Sequence, residues 1–183
     1  MSDRRVLRLR ERPSDYAFLV FFWLNLLFVA YQIDLEQIVI RNPDAFDYPV
    51  WPLPFMVDLV HWWGRTFDPV LIARPVWWMV TIWIDALLFG PFYVFAIYAF
   101  VKGKEWIRIP SVVYASILFT NVCVILGEEI WGPHHSPRLG IVLLANAPWF
   151  IFPFFIVARM WKDHPFTIAA ADGPRGASAA TDG

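Results

Sequence analysis

Asp34, Asp68 and Asp85 stand where an acid is costly. Asp34 closes the apolar run Tyr16–Ile33, Asp68 precedes Pro69 at the approach to a second run, and Asp85 is the one charge inside Val76–Val101. A carboxylate near the middle of a membrane helix costs about 2.5–3.5 kcal/mol on insertion scales, so it should face protein or water rather than lipid. Two such groups meeting in a dehydrated cavity cannot both ionise easily and would share one proton. The ionised member could then pair with a cationic ligand while the neutral one donates a hydrogen bond. The structural alternative for Asp85 is a hydrogen bond across a helix interface to Asn25, Thr120 or Asn121.

Other residue types refine the chemistry. Trp149 flanks Pro148, where a kink opens the helix, and its π face could steady a ligand cation or a carbocation. Asn146 and Thr120 complete the polar set assigned to a ligand. Trp77, Trp78 and Trp131 read as boundary anchors, whereas Trp83 and Trp149 lie deeper. Glu128-Glu129 and His134-His135 fall in a proline-broken segment without two histidines at helical i,i+4 spacing, so a solvated loop is the preferred reading and no metal is assigned. Phosphate loops, nucleophile elbows and zinc signatures are absent from the sequence, and no cofactor is expected.

The elements that must hold these side chains are membrane helices. Of 183 residues, 58% are hydrophobic and 19% aromatic, more than a soluble domain of this size carries. Apolar stretches long enough to cross a hydrocarbon core roughly 30 Å thick predict an all-α bundle of four transmembrane helices at about 16–33, 75–100, 110–126 and 141–160. The first is read as uncleaved, because its apolar run is long for a signal peptide and no small-x-small site follows. Helical spacing puts Tyr31, Asp34 and Gln37 on one face at its end. Pro43, Pro49, Pro52 and Pro54 break the connection that follows. Phe55–Trp63 then reads as a short amphipathic helix, and the whole connection as a lid. Gly90-Pro91 predicts a bend just beyond Asp85, since proline lacks an N–H and clashes with the Leu87 carbonyl.

Charge sets the expected orientation. The tail 1–15, the 101–109 connection and the Arg159/Lys162 exit are basic, which puts both termini in the cytoplasm of a four-span protein. Residues 161–183 read as a disordered tail. A formal net charge of −1 argues against nucleic acid as a partner, and the lone Cys123 rules out an intrachain disulfide. The host would be the endoplasmic reticulum membrane in a eukaryote or the plasma membrane in a bacterium; a homodimer stays open.

Three strings carry a family resemblance: Phe67-Asp68-Pro69-Val70-Leu71; Tyr98-Ala99-Phe100-Val101-Lys102-Gly103; and Glu105-Trp106-Ile107-Arg108-Ile109-Pro110-Ser111-Val112-Val113-Tyr114. Together with Asp34-Leu35 they resemble the EXPERA family, which holds a sigma-2 receptor branch and the emopamil-binding sterol isomerases. The resemblance implies four helices around a pocket open sideways to lipid that takes sterols and amphiphilic amines. In the receptor branch two aspartates act at the ligand amine, matching Asp34 and Asp68, and a second-helix glutamate looks like Asp85. In the isomerases a histidine and a second-helix glutamate stand where this chain has Ala30 and Ile82. The first expectation is thus a pocket for sterol-like or isoprenoid lipids and cationic amphiphiles, lined by Asp34, Asp68, Asp85, Asn146, Thr120 and Trp149. The alternative is a double-bond isomerase using Asp34 and Asp85.

Overall fold

Residues 4–169 are described by the computed structural model. In chain order they form β1 (Arg4–Val6), α1 (Asp15–Val39), α2 (Pro54–Thr66), α3 (Val70–Ala73), α4 (Val76–Lys102), α5 (Arg108–Trp131), α6 (Leu139–Met160) and β2 (Thr167–Ala169). Among the described residues, four helices are long and apolar enough to cross a membrane: α1, α4, α6, and α5 with the 3₁₀ turn that leads into it. The chain is an all-α integral membrane bundle with one small two-stranded ribbon at its ends.

Local sequence explains the breaks. Pro54 starts α2 in the first turn, where its missing N–H costs nothing. Gly103 ends α4 at φ 63°, a left-handed conformation that glycine adopts freely, and its N–H caps the Ala99 carbonyl. Gly90 marks a close approach of α1 and α4, since a Cβ there would sit 2.9 Å from the Tyr31 hydroxyl. The irregularity that Pro91 demands takes the form of a π-helical stretch, Asp85–Phe89, and α1 has a longer one over Asn25–Asp34. These two stretches pack against each other.

Aromatic packing fills the core between α1, α4, α5 and α6. Phe22, Phe89, Tyr93 and Phe100 are buried together with Tyr114, and Phe21 of α1 stacks on Phe152 of α6 at 4.0 Å. At the end of the bundle where the chain enters, Asp15 is fully buried between two arginines. Arg12 bonds it directly, and Arg159 of α6 reaches it at 2.7 Å. The Phe166 ring packs against both guanidinium groups at 4.8 and 4.9 Å. β1 pairs antiparallel with β2 beside this cluster, so both ends of the described chain lie on one side.

Three boundaries differ from the sequence expectation. The first span runs to Val39 rather than about residue 33, because the π-helical stretch continues without a break into a last α turn. The third continues to Trp131 rather than about 126, which makes Glu128 and Glu129 helical instead of loop residues. Residues 161–169, expected to be disordered, leave α6 and end in β2, anchored by Glu105, which accepts from the Phe166 N–H at 3.2 Å and the Thr167 hydroxyl at 2.8 Å. The remainder of the expected tail, from residue 170, lies outside the described residues.

Candidate functional site

The π-helical stretches place two acids at one spot. Asp34 is the last residue of the stretch in α1 and Asp85 the first of the stretch in α4. π turns interrupt the regular α ladder and recur at functional sites, where they re-aim a side chain. Asp34 is buried within electrostatic reach of Asp85. Asp68 arrives from the short segment between α2 and α3. All three border one cavity of about 400 Å³ with a largely apolar lining. Buried oxygens on each are left without a hydrogen-bond partner: Oδ2 of Asp34, Oδ1 of Asp68 and Oδ1 of Asp85. The structural alternative for Asp85 is not realised. Asn25 donates to the Phe21 carbonyl at 2.7 Å and accepts from Trp149 Nε1 at 2.7 Å, so it is committed elsewhere.

The cavity wall is fixed by similar side-chain bonds. The Trp78 indole donates to Gln37, which joins the end of α1 to the start of α4. Trp149 lines the cavity with its N–H already engaged, which leaves its ring as the surface offered to an occupant. Asn146 also lines the cavity, its amide donating to the Val142 carbonyl at 3.0 Å. Thr120 does not line it: its side chain is exposed on the outer face of α5 and bonds back to the Ser116 carbonyl at 2.9 Å. The neighbouring Asn121 takes the inward position. Trp83, expected to lie deep, is 45% exposed on the outside of α4. Of the face Tyr31, Asp34 and Gln37, the latter two line the cavity and Tyr31 does not.

Besides Asp15, two buried acids escaped the sequence reading. Glu129 is 1% exposed and meets no N–H or hydroxyl donor; its carboxyl lies against Asp68, with which it can hydrogen-bond by sharing a proton. Its signal was helical spacing, because Val122 and Ile125, seven and four residues earlier, line the cavity. Burial pushes the Asp68 carboxyl above its ordinary value, opposed in part by Glu129, the Trp63 side chain and the backbone N–H groups of Val70 and Leu71. Glu36 is the second. It accepts two hydrogen bonds from Arg74, at 2.8 and 2.9 Å, and lies 2.8 Å from His61 Nε2 of α2. Glu128, the neighbour of Glu129, caps the turn after α5 by accepting from the His134 backbone N–H at 2.9 Å. Among the described residues no cluster of three or more His, Cys, Asp or Glu side chains could hold a metal ion.

Comparison with known proteins fits this architecture. Sigma intracellular receptor 2 of Xenopus tropicalis is 32% identical, over 57% of this chain and 68% of its own. The proteins of that name from Homo sapiens and Macaca fascicularis are each 28% identical, over 77% of this chain and 84% of theirs. Residues 55–160, more than half of the chain, match EXPERA (EXPanded EBP superfamily), from α2 to the end of the last span. The chain belongs to the EXPERA family.

Proposed function

We propose that this protein binds a sterol-like or isoprenoid amphiphile carrying a basic nitrogen, with the apolar body in the cavity and the ammonium at Asp34. One observation carries this reading: carboxyl groups from three separate segments border a single apolar cavity and keep buried oxygens unpaired. A buried, unpaired carboxylate is costly, and a cationic partner that brings its own donors offsets that cost. The cavity volume of about 400 Å³ falls in the range of small-molecule sites, roughly 300–1,000 Å³. The rest of the affinity would come from apolar burial at about 25 cal/mol per Å². Relatives named as receptors support a small-molecule ligand.

The test is binding of a steroid bearing a tertiary amine to purified protein in detergent. Asp34→Asn is expected to weaken it about ten-fold or more, the usual worth of a charge-assisted contact, with the gel-filtration profile unchanged. Binding that survives unchanged would refute the ionic part of the proposal.

A second reading is favoured by the closeness of Asp34 to Asp85 at the same cavity. Two carboxyl groups and the Trp149 ring are the equipment for moving an alkene through a transient cation. Against it, the positions matching the isomerase histidine and glutamate are Ala30 and Ile82, both buried. Incubation with sterol and isoprenoid alkenes in deuterated water separates the readings. Deuterium in a shifted alkene, lost in Asp85→Asn, supports an enzyme; unlabelled starting material supports a binding protein.

A further inference from the structure

On the outside of the bundle, near the end where both termini lie, α5 and α6 part to leave a groove of about 640 Å³. Its walls carry small side chains, Ala115 and Ser116 of α5 and Ala158 of α6, which leaves the space between the helices unfilled. Phe119 of α5 and Phe154 of α6 meet edge to face at 5.1 Å at its deep end. The other end is formed by Trp161 and Lys162, the first residues beyond α6. None of these side chains borders the cavity of the three aspartates, so the groove is a separate feature.

Charge and length decide the occupant. Lys162 has no carboxylate partner among the described residues, whereas the neighbouring Asp163 is held by Arg108 at 3.1 Å. Arg108 also donates to the Met160 and Trp161 carbonyls at 3.0 and 3.4 Å, which fixes a guanidinium beside the same exit. Lys162 therefore leaves a positive charge unanswered at the mouth of an apolar slot. From Pro153 to Met160, α6 rises about 10 Å, most of the roughly 15 Å that one leaflet contributes to the hydrocarbon core. Lysine and tryptophan are the side chains that sit at headgroup level, with an apolar body and a polar tip.

We infer that this groove seats an anionic glycerophospholipid, with one acyl chain between α5 and α6 and the phosphate at Lys162. An uncharged lipid would use the apolar walls and leave the lysine unanswered. A second copy of this chain would have to fill the slot with side chains and bring a carboxylate to its mouth. On the orientation expected from charge bias, this end lies in the cytoplasmic leaflet, where anionic lipids attract basic residues. The site is independent of whatever the aspartate cavity binds, and the two can be occupied together.

Native mass spectrometry of the full chain in detergent, with equimolar phosphatidylglycerol and phosphatidylcholine of identical acyl chains, tests this. The wild type is expected to retain one lipid, phosphatidylglycerol about ten-fold over phosphatidylcholine. Lys162→Ala should bring the two to parity. Lys104→Ala, at the same end but outside the groove, should leave the preference intact. Ala158→Phe fills the groove from an exposed position and should abolish retention of both lipids. Ser116→Leu, on the α5 wall, repeats that arm should the first variant fail to fold. Parity in the wild type, or a preference that both lysine variants reduce alike, would overturn the site, because attraction would then be spread over the basic end. Retention unaltered by the groove-filling variants would place the lipid elsewhere and overturn it equally. A wild-type dimer that Ala158→Phe converts to a monomer would replace the lipid with a second copy of the chain.

Discussion

Asp68 is the acid whose protonation the surroundings bear on most directly outside the spans. Burial pushes its carboxyl above the ordinary value, with Glu129 of α5, the Trp63 side chain and the N–H groups of Val70 and Leu71 pulling the other way. Asp34 and Asp85 line the same cavity. The unfolded chain presents an ordinary carboxyl titrating near roughly 4. Between that value and the raised native one, the folded protein holds a proton that the unfolded chain has lost, so stability falls as pH rises through the native value. This contribution is complete below the unfolded value and gone above the native one. Melting temperature in detergent should therefore decline from about pH 4 upward, and Asp68→Asn should flatten that slope while raising stability at neutral pH. An unaltered slope would mean that other groups carry it. At this scale much of the cavity was legible: Asp34, Asp68, Asp85, Asn146 and Trp149 all border it. Glu129 was hidden because Glu128-Glu129 followed by Gly-Pro and two histidines has the polarity of a loop. Thr120 misled because, without a structure, adjacent polar positions on a helix give no sign of which faces inward.

At the scale of elements, the cavity depends on a clasp that no hydrophobic pattern announces. Glu36 on the last turn of α1 holds Arg74, in the two-residue link between α3 and α4, and His61 of α2. Arg74 takes a left-handed backbone, φ 47°, unusual without glycine. Its side chain offsets that strain by also donating to the carbonyls of Ile40 and Leu71. One buried carboxylate thus ties α2, the turn before α4 and the first span together. Removing one partner of a buried ion pair strands the other, at about 3–5 kcal/mol, so Arg74→Ala should lower the unfolding free energy by that order. His61→Ala leaves the Glu36–Arg74 pair intact and should cost only about 1–3 kcal/mol. Thermal unfolding of both variants in the same detergent checks the order; equal losses would mean that the clasp does not centre on the arginine. The four spans were legible because long apolar runs have few other uses, and α2 because Phe55–Trp63 is amphipathic, although Pro54, read with the breakers before it, in fact opens that helix. The π-helical stretches were not, since only packing between α1 and α4 decides where a turn widens. Pro91 gave the place of the second but not its form.

For the whole molecule, the pairing of β1 with β2 and the burial of Asp15 between Arg12 and Arg159 close the bundle at the end where both termini meet. That end also carries Lys102, Lys104 and Lys162, whereas the opposite side holds the long connection with Asp44 and Asp47. Lysine and arginine in short segments set membrane orientation because they resist translocation, and on that ground we propose that the closed end faces the cytoplasm and the α2 side faces away from it. The cavity acids then lie on the α2 side, and a ligand would meet them without passing the aromatic core. Cysteine labelling tests this orientation directly. With Cys123 changed to serine, single cysteines at Lys104 and at Asp47 are exposed to a membrane-impermeant maleimide in sealed vesicles of known sidedness. Asp47→Cys should label from the non-cytoplasmic face and Lys104→Cys only after the membrane is opened. The reverse pattern would invert the protein and bring its ligands from the cytoplasm; labelling of both sites from one face would break the four-span topology itself.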